Sequence, residues 1–498
     1  MTNKLNYSRI IDLWLTSDTE AYDKLVDELL GNVKRHLNKN RFRVKEHRAP
    51  LFYYLADIIC TYYTDPKRYL AYNRNANWFS TSTIYSLKRF ARNPTLAVID
   101  TLEKLGYVEN HLGFSDRNSG VGFTSRIKAK KKLITLVEKH GVSISDFTQL
   151  HDKQSIRLKS PKDDNDATTL INYIDTSETE ELRQNVRRIN ETLDKHWIDI
   201  KITDDQYKDL QQRLVDSKDE DKQPVDFNRK HLYRVFNNGD IANPKFNQGG
   251  RFYGGWWQQI PSEYRSRLRI DGKQTVELDY SAMHFYMMYS EMGLAIPASD
   301  PYAVDGIDRK SAKVALNIAL NASSKSKALS AIKNNQWPEK TMLEVTAIVE
   351  KLLDKHKAIS EYFYTGKGIK LQFKDSQIAE LVMLSMWEQH GIVALPVHDS
   401  FIVTSASAND LREVMLTSFK QITGYDAKLK TSQKDETLKS AMDLLGQQVV
   451  YDNSGQLTKV GVNAADTWDA YKREVDSYKG YELRKHLCCK EEYLCLKS

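Results

Sequence analysis

Residues 275–290 read TVELDYSAMHFYMMYS, and residues 395–403 read LPVHDSFIV. In the first, Thr275 to Leu278 have strand character, the run reaches Asp279, and Met283, Tyr286, Met287 and Ser290 then recur at helical spacing. In the second, His398-Asp399-Ser400 interrupts two apolar, β-branched runs. Neighbouring residues of a strand point to opposite faces, so these three do not form a hydrolase relay. A carboxylate at the end of a buried strand is costly unless it is paired or metal-bound. Two such strand ends, at Asp279 and Asp399, can hold two Mg2+ ions about 3.5–4 Å apart, the arrangement that stabilises attacking and leaving oxygens in phosphoryl transfer. Between them, DRKSAKVALNIALNASS (308–324) puts Arg309 and Lys313 on one helix face, with Ala312, Ala315, Leu316 and Ala319 left for packing. A cationic helix face is ordinarily just solvated; between two strand-end aspartates it becomes a candidate triphosphate clamp.

These strings resemble a known set. DYSAMH (279–284) resembles motif A of the family A DNA polymerases and phage-type single-subunit RNA polymerases, Arg309-x3-Lys313 resembles their motif B, and VHDSF (397–401) resembles motif C, in the family's order. DSQIAELVMLSMWEQHG (375–391) is similar to the helix that precedes motif C, and NQGGRFYGG (247–255) is similar to an upstream Gly-Arg motif that contacts the template-product hybrid. The likeness covers about residues 245–405. It implies an antiparallel right-hand palm in which Asp279 and Asp399 ligate two Mg2+ ions, with Mn2+ as a substitute and the Tyr280 backbone carbonyl as a further ligand. It implies that Arg309 and Lys313 hold the incoming triphosphate, Lys313 also helping to protonate pyrophosphate. His398 would lie against the primer or product 3′ end, and Arg251 against the hybrid.

The chain also departs from that pattern. Only 120 residues separate Asp279 from Asp399, which implies a reduced fingers region. Asn321-Ala322 stands where the families carry Tyr-Gly, and the lost stacking is worth about 1–3 kcal/mol per base. Five residues after Asp279, where the DNA polymerases carry Glu and the RNA polymerases Gly, stands His284, bulky enough to crowd a ribose 2′-OH. That residue leans toward deoxynucleotides. VHDSF and GGRFY are closer to the RNA polymerases, and Ser400 replaces a glutamate of the DNA polymerases, so the sugar stays open at this stage. No strand-embedded D-x-E set marks a proofreading exonuclease. YRSRLR (264–269) spaces Arg265, Arg267 and Arg269 two apart, so an extended strand would turn all three to one face, toward a nucleic-acid channel or as solvated edge charge.

The 498 residues carry 73 Lys and Arg against 66 Asp and Glu, so local clustering matters more than the sum. Basic residues bunch at 35–48, 126–132 and 264–269. Residues 1–50 are expected to be a helical N-terminal segment. In 51–150, a helix LFYYLADIICTYYTD, a helix 94–105 with Asn93 as N-cap and Gly106 as C-cap, and a hairpin YVENHLGF/FTSRIKA resemble a winged helix-turn-helix. Arg117, Arg126 and Lys128 would then meet phosphates. A charged linker and helical, thumb-like region is expected at 151–244, its helix opening on a box of the form S-x-x-E at Ser177. The polymerase domain would span 245–445, and a C-terminal segment 446–498. The fold class expected is α+β. Cys60, Cys488, Cys489 and Cys495 are too few for a disulfide framework; whether His486 and the last three hold zinc stays open, their spacing fitting no paired CxxC pattern. No apolar run approaches the roughly 20 residues of a membrane span, and the expected location is the cytoplasm.

The function expected is template-directed synthesis of DNA in replication or priming, on nucleic acid and nucleoside triphosphates. Alternatives are a single-subunit-type RNA polymerase or primase, a template-independent nucleotidyltransferase, and a DNA-binding initiator with an inactive palm.

Overall fold

The computed structural model describes residues 8–431 except 38–41, 81–82, 86–89, 116–121, 151–153, 164–166, 218–222, 240–242 and 298, together with 450–451, 457–458 and 476–482. Two apolar cores organise them. The first runs from Leu15 to Phe147. Strands β1 (Ser8–Ile10), β2 (Tyr69–Tyr72), β3 (Val108–His111) and β4 (Ser125–Ala129) form a sheet in the order β1-β2-β4-β3, the first pair parallel and the others antiparallel. Helices α1 (Glu20–His36), α2 (Val44–Thr64), α3 (Arg92–Lys104) and α4 (Lys131–Lys139) supply the rest of this core. α1 forms because Tyr22, Leu25, Val26, Leu29, Leu30 and Val33 share one face, with acids in its first turn and bases in its last.

Two expectations change here. Residues 1–50 are not helical throughout: Ser8–Ile10 is a strand of the same sheet as β4, too short to leave a periodic signal. α3 begins at Arg92 with Ala91 as its cap and no side-chain cap bond, so Asn93 is inside the helix. Pro94 sits in the first turn, where its missing N–H costs nothing. Gly106, at φ 76, does close the helix, with the Tyr107 N–H donating to Leu102 O at 2.9 Å. The expected hairpin is present as β3 and β4, with Val108 opposite Ala129; Arg117 lies outside the described residues.

The second core runs from Ile156 to Phe419. Its strands are β5 (Ile156–Leu158), β6 (Ile198–Ile200), β7 (Tyr233–Phe236), β8 (Gly249–Tyr253), β9 (Leu268–Ile270), β10 (Lys273–Tyr280), β11 (Leu395–Val397), β12 (Ser400–Thr404) and β13 (Leu429–Thr431). They make a three-stranded sheet, β8-β7-β5, and a larger one, β6-β9-β10-β12-β11, with β13 also on β10. β10 is the spine of the larger sheet. β9 pairs with its first residues, β13 with its last three, and β12 with the run from Thr275 opposite Thr404 to Asp279 opposite Ser400.

Around these strands lie α5 (Ser177–Asp194), α6 (Asp204–Val215), α7 (Met283–Glu291), α8 (Arg309–Asn321), α9 (Lys325–Gln336), α10 (Met342–Asp354), α11 (Gly368–His390) and α12 (Ala408–Thr423). α5 is capped one residue earlier than expected, by a box between Thr176 and Thr179. The arginines of 265–269 do not share a strand. Pro261 leads into a one-turn helix, Ser262–Arg265, and β9 starts only at Leu268. Arg265 therefore pairs with Glu277 at 2.9 Å, Arg267 is exposed, and Arg269 is buried. Among the described residues, no helix is long and apolar enough to cross a membrane.

A buried cation ties the two cores together. Arg9 of β1 is 3% exposed and pairs with Asp57 of α2 and, at 2.9 Å, with Asp226, whose neighbours Val225 and Phe227 belong to the second core. Removing one member of such a cluster leaves uncompensated buried charge. Arg9→Met is expected to lower stability to urea by about 3–5 kcal/mol; a loss below about 1 kcal/mol, the value of a surface pair, would show that this cluster does not join the cores.

Candidate functional site

β10 and β12 bring the two aspartates together. Because Asp279 stands opposite Ser400, the residue before Ser400 is carried to the end of β10, and the Tyr280 N–H donates to Asp399 O at 3.2 Å. β11 and β12 are joined by His398 and Asp399 alone, a two-residue turn. His398 adopts φ 57 there, and Ala282, just past the other aspartate, adopts φ 48. Left-handed backbone at a non-glycine residue costs about 1–2 kcal/mol, and such strain gathers at sites that need fixed geometry.

The charges at this point are not balanced by carboxylate-base pairing alone. Burial first, and the neighbouring Asp399 charge second, push the Asp279 carboxyl up to about 6, against the pull of Lys430. Lys430 Nζ lies 2.8 Å from Asp279 Oδ2, while Asp279 Oδ1 is buried without a hydrogen-bond partner among the described residues. Two adjacent carboxylates with an orphaned oxygen suit a divalent cation. Among the described residues no group of three or more His, Cys, Asp or Glu is arranged for a metal, so any further ligands would come from backbone such as Tyr280 or from substrate. His486, Cys488, Cys489 and Cys495 lie outside the described residues.

A cavity of about 550 Å³ opens beside the aspartates. Of the residues singled out from sequence, Arg251, Tyr280, His284, Arg309, Lys313, Asn321, His398 and Asp399 line it. α8 delivers three of them on one face, and Asp308 fixes its start by accepting from the Ser311 N–H at 2.9 Å. Arg309 is engaged by Asp300 and lies 5.3 Å from the Tyr302 ring; Lys313 lies 5.9 Å from the same ring. Asn321 donates from its amide to Asn317 O at 2.8 Å. The Tyr280 side chain is buried and donates to Met415 O at 2.6 Å, so only its backbone is available.

Arg251 is aimed by the glycines before it. Gly249 and Gly250 have φ 75 and 79, and a Cβ on Gly250 would stand 2.7 Å from Ser376 Oγ, so β8 presses against α11. There Arg251 Nε donates to Asp375 Oδ2 at 2.8 Å, and His284 Nε2 lies 3.8 Å from the same oxygen. Burial pushes Asp375 up, but Arg251 and His284 more than offset it and hold its carboxyl below the usual range.

Three residues expected at nucleic acid lie outside this cavity. Arg265 is paired with Glu277, and Lys128 pairs with Glu109 at 3.3 Å and lies 4.4 Å from the Tyr69 ring. Arg126 shares the outward face of β4 with Lys128. Sequence reasoning missed Lys428, Lys430, Tyr302 and Asp375. The alternation Lys428-Leu429-Lys430 after the helix-ending Gly424 was the available signal for β13. It also missed Glu277, a buried carboxylate that accepts from Ser400 Oγ at 2.6 Å. Ser400 thus faces the sheet interior, away from the cavity lining.

A carboxyl raised on folding binds more protons in the folded chain than in the unfolded one, so stability falls as pH rises from about 4 to about 6. Asp279→Asn is expected to leave stability unchanged near pH 4 and to raise it near pH 7 by roughly 2 kcal/mol, with a smaller gain in melting temperature on adding Mg2+ than wild type shows. Thermal melts across that range, with and without Mg2+, read both; an unaltered pH slope would contradict the strained pairing.

A scan of family models and a search of curated proteins find no match to the chain. Among solved structures, the POL domain of Pol1 from M. smegmatis, in complex with DNA primer-template and dNTP, is similar at 11% identity with a TM-score of 0.29. The likeness covers 84% of this chain and 66% of that one, so this chain spans just under two thirds of its length.

Proposed function

We propose that the chain is a nucleic-acid polymerase that adds nucleotides to a 3′ end, with template-directed DNA synthesis as the first reading. The observation that carries it is the convergence of Asp399, Arg309 and Lys313 on one cavity, with Asp279 at the end of β10 brought beside Asp399 by the pairing of β10 with β12. The order of the motif-like strings supports it independently. In this reading the sheet around β10 is the palm and α8 to α10 are compact fingers, while the N-terminal unit, resembling a winged helix, adds a nucleic-acid contact through Arg126.

Asp279 and Asp399 would hold two Mg2+ ions, which when bound supply Lewis-acid stabilisation of charge on the attacking and leaving oxygens. Arg309 and Lys313 bind and orient the triphosphate, so that the acceptor 3′ oxygen is in line with the α-phosphorus. As that bond forms, the 3′-hydroxyl proton is lost to water, the bond to the bridging oxygen breaks, and Lys313 passes a proton to the departing pyrophosphate and regains one from water. Arg251 and His398 orient the acceptor strand. His284, 3.8 Å from Asp375, would crowd a ribose 2′-OH. A template-independent nucleotidyltransferase is the second reading, favoured by Asn321: an amide tied back to its own helix replaces the stacking tyrosine.

Incorporation of labelled dNTPs and NTPs, on primed template, on unprimed template and on primer alone, tests these readings. Asp399→Asn is expected to abolish incorporation, and Lys313→Ala to raise the KM for nucleotide by about tenfold or more, the loss of one charge-assisted contact. Extension of primer without template would replace the first reading with the second; full activity in Asp399→Asn would overturn both.

A further inference from the structure

A second cavity, of about 840 Å³, shares His398 of the β11–β12 turn with the first. Its floor is one face of the sheet β8-β7-β5. Tyr233 stands opposite Tyr253, and Val235 opposite both Arg251 and Arg157, so these side chains share a face, while Ile156, Leu158, Phe236 and Phe252 turn into the core. The Arg157 guanidinium lies 3.5 Å from the centre of the Tyr233 ring, and the Tyr233 and Tyr253 rings are 6.3 Å apart. The face therefore continues from Arg251 in the first cavity to a row of rings and cations in the second.

Cations dominate this groove: among its described lining residues the one carboxylate is Asp12, which accepts from the Trp14 N–H and from Gln149 Nε2, both at 3.0 Å. Arg157, Lys159, Arg187 and Arg229 all line it, and none has a carboxylate within ion-pair distance among the described residues. Arg157 Nε is buried and has no hydrogen-bond partner there. Burial works against the Arg157 cation and outweighs the favourable Tyr233, Tyr85 and Asp12, while the nearby Arg229 charge adds to the penalty, so an anion placed between the two arginines relieves it. Its volume is within the range of about 300–1,000 Å³ that holds small ligands, room for roughly two or three nucleotides and too little for a duplex. Ile10, Ile11 and Trp14 of the N-terminal unit close one wall.

We propose that this groove binds the last few nucleotides of a single strand, bases on Tyr233 and Tyr253 and phosphates on the four cations, with its 3′ end at His398. Stacking rings interleaved with unpaired cations are the general chemistry of single-strand binding. The proposal rests on the transferase reading for the direction of the strand, and not for its binding.

The test uses the full chain without metal or nucleotide: fluorescence anisotropy with labelled oligo-dT and oligo-U hexamers, and with a hairpin duplex of similar length, at low salt. Wild type is expected to bind a single-stranded hexamer more tightly than the duplex. Tyr253→Ala is expected to weaken that binding about tenfold. Arg229→Gln is expected to weaken it and to flatten its salt dependence by about 0.7 in log–log slope. Both side chains are partly exposed, and melting curves check that the variants fold. Unchanged affinity in both variants, or tighter binding of the duplex, would overturn the groove. Asp399→Asn is expected to bind the hexamer at least as tightly as wild type, which separates the two readings. Hexamer binding sensitive to Tyr253 without nucleotide incorporation keeps the groove and removes the transferase; incorporation with insensitive hexamer binding does the reverse.

Discussion

The antiparallel pairing of β10 with β12 is the constraint on which the site depends. Its register sets Asp279 opposite Ser400, so the turn that follows β11 must deliver Asp399 to the end of β10. Side-chain direction alternates along a strand, and a one-residue slip would turn Asp279 into the opposite face of the sheet and separate the two carboxylates. Both faces here are buried, with Leu278 across from Phe401 and Glu277 from Ile402, so a slip would break the packing on each face and leave the buried Glu277 without its bond from Ser400 Oγ. Sheet packing thus holds two like charges together.

That repulsion explains the cations around it. Lys430 reaches Asp279 from β13, the strand that shares an edge of β10 with β9, and Lys428, Lys313, Arg309 and Arg251 line the same cavity. The five come from three separate places, β8, α8, and β13 with the residue before it, so the positive potential is a property of the assembled fold. Arg251 has a second role: through the buried Asp375 it links the smaller sheet to α11, and through the same carboxylate to His284 on α7. Loss of Asp375 would therefore disturb a candidate strand contact and a candidate sugar contact together.

Much of this was legible in the sequence where a residue's cost is local. A lone aspartate ending an apolar strand, an Arg and a Lys one helical turn apart, and a helix ended by glycine all announce themselves within a few residues. The strands of β10 and β12, helix α8 and the β3–β4 hairpin follow from such signals. What was illegible depends on pairing across long separations. Asp375 reads as an ordinary polar helix residue until Arg251, 124 residues earlier, is packed against it. Arg265 reads as a free cation until Glu277 is found beside it, and β1 is three residues long. The period-two spacing of Arg265, Arg267 and Arg269 was a true regularity of sequence, but Pro261 started a helical turn that consumed the first of the three.

His398 is where the two scales meet. It is exposed, it holds a left-handed backbone angle, and it lines both cavities. A glycine would adopt that angle without strain, so a histidine there costs stability that only its side chain can justify. The β11–β12 turn has no spare residue with which to relax, since Val397 and Ser400 already pair. The His398 backbone is therefore fixed relative to Asp399 by the turn itself. Under the proposed transferase reading, a strand end that meets His398 would stand close to both aspartates, and positioning of that kind is the larger part of what a protein contributes to phosphoryl transfer.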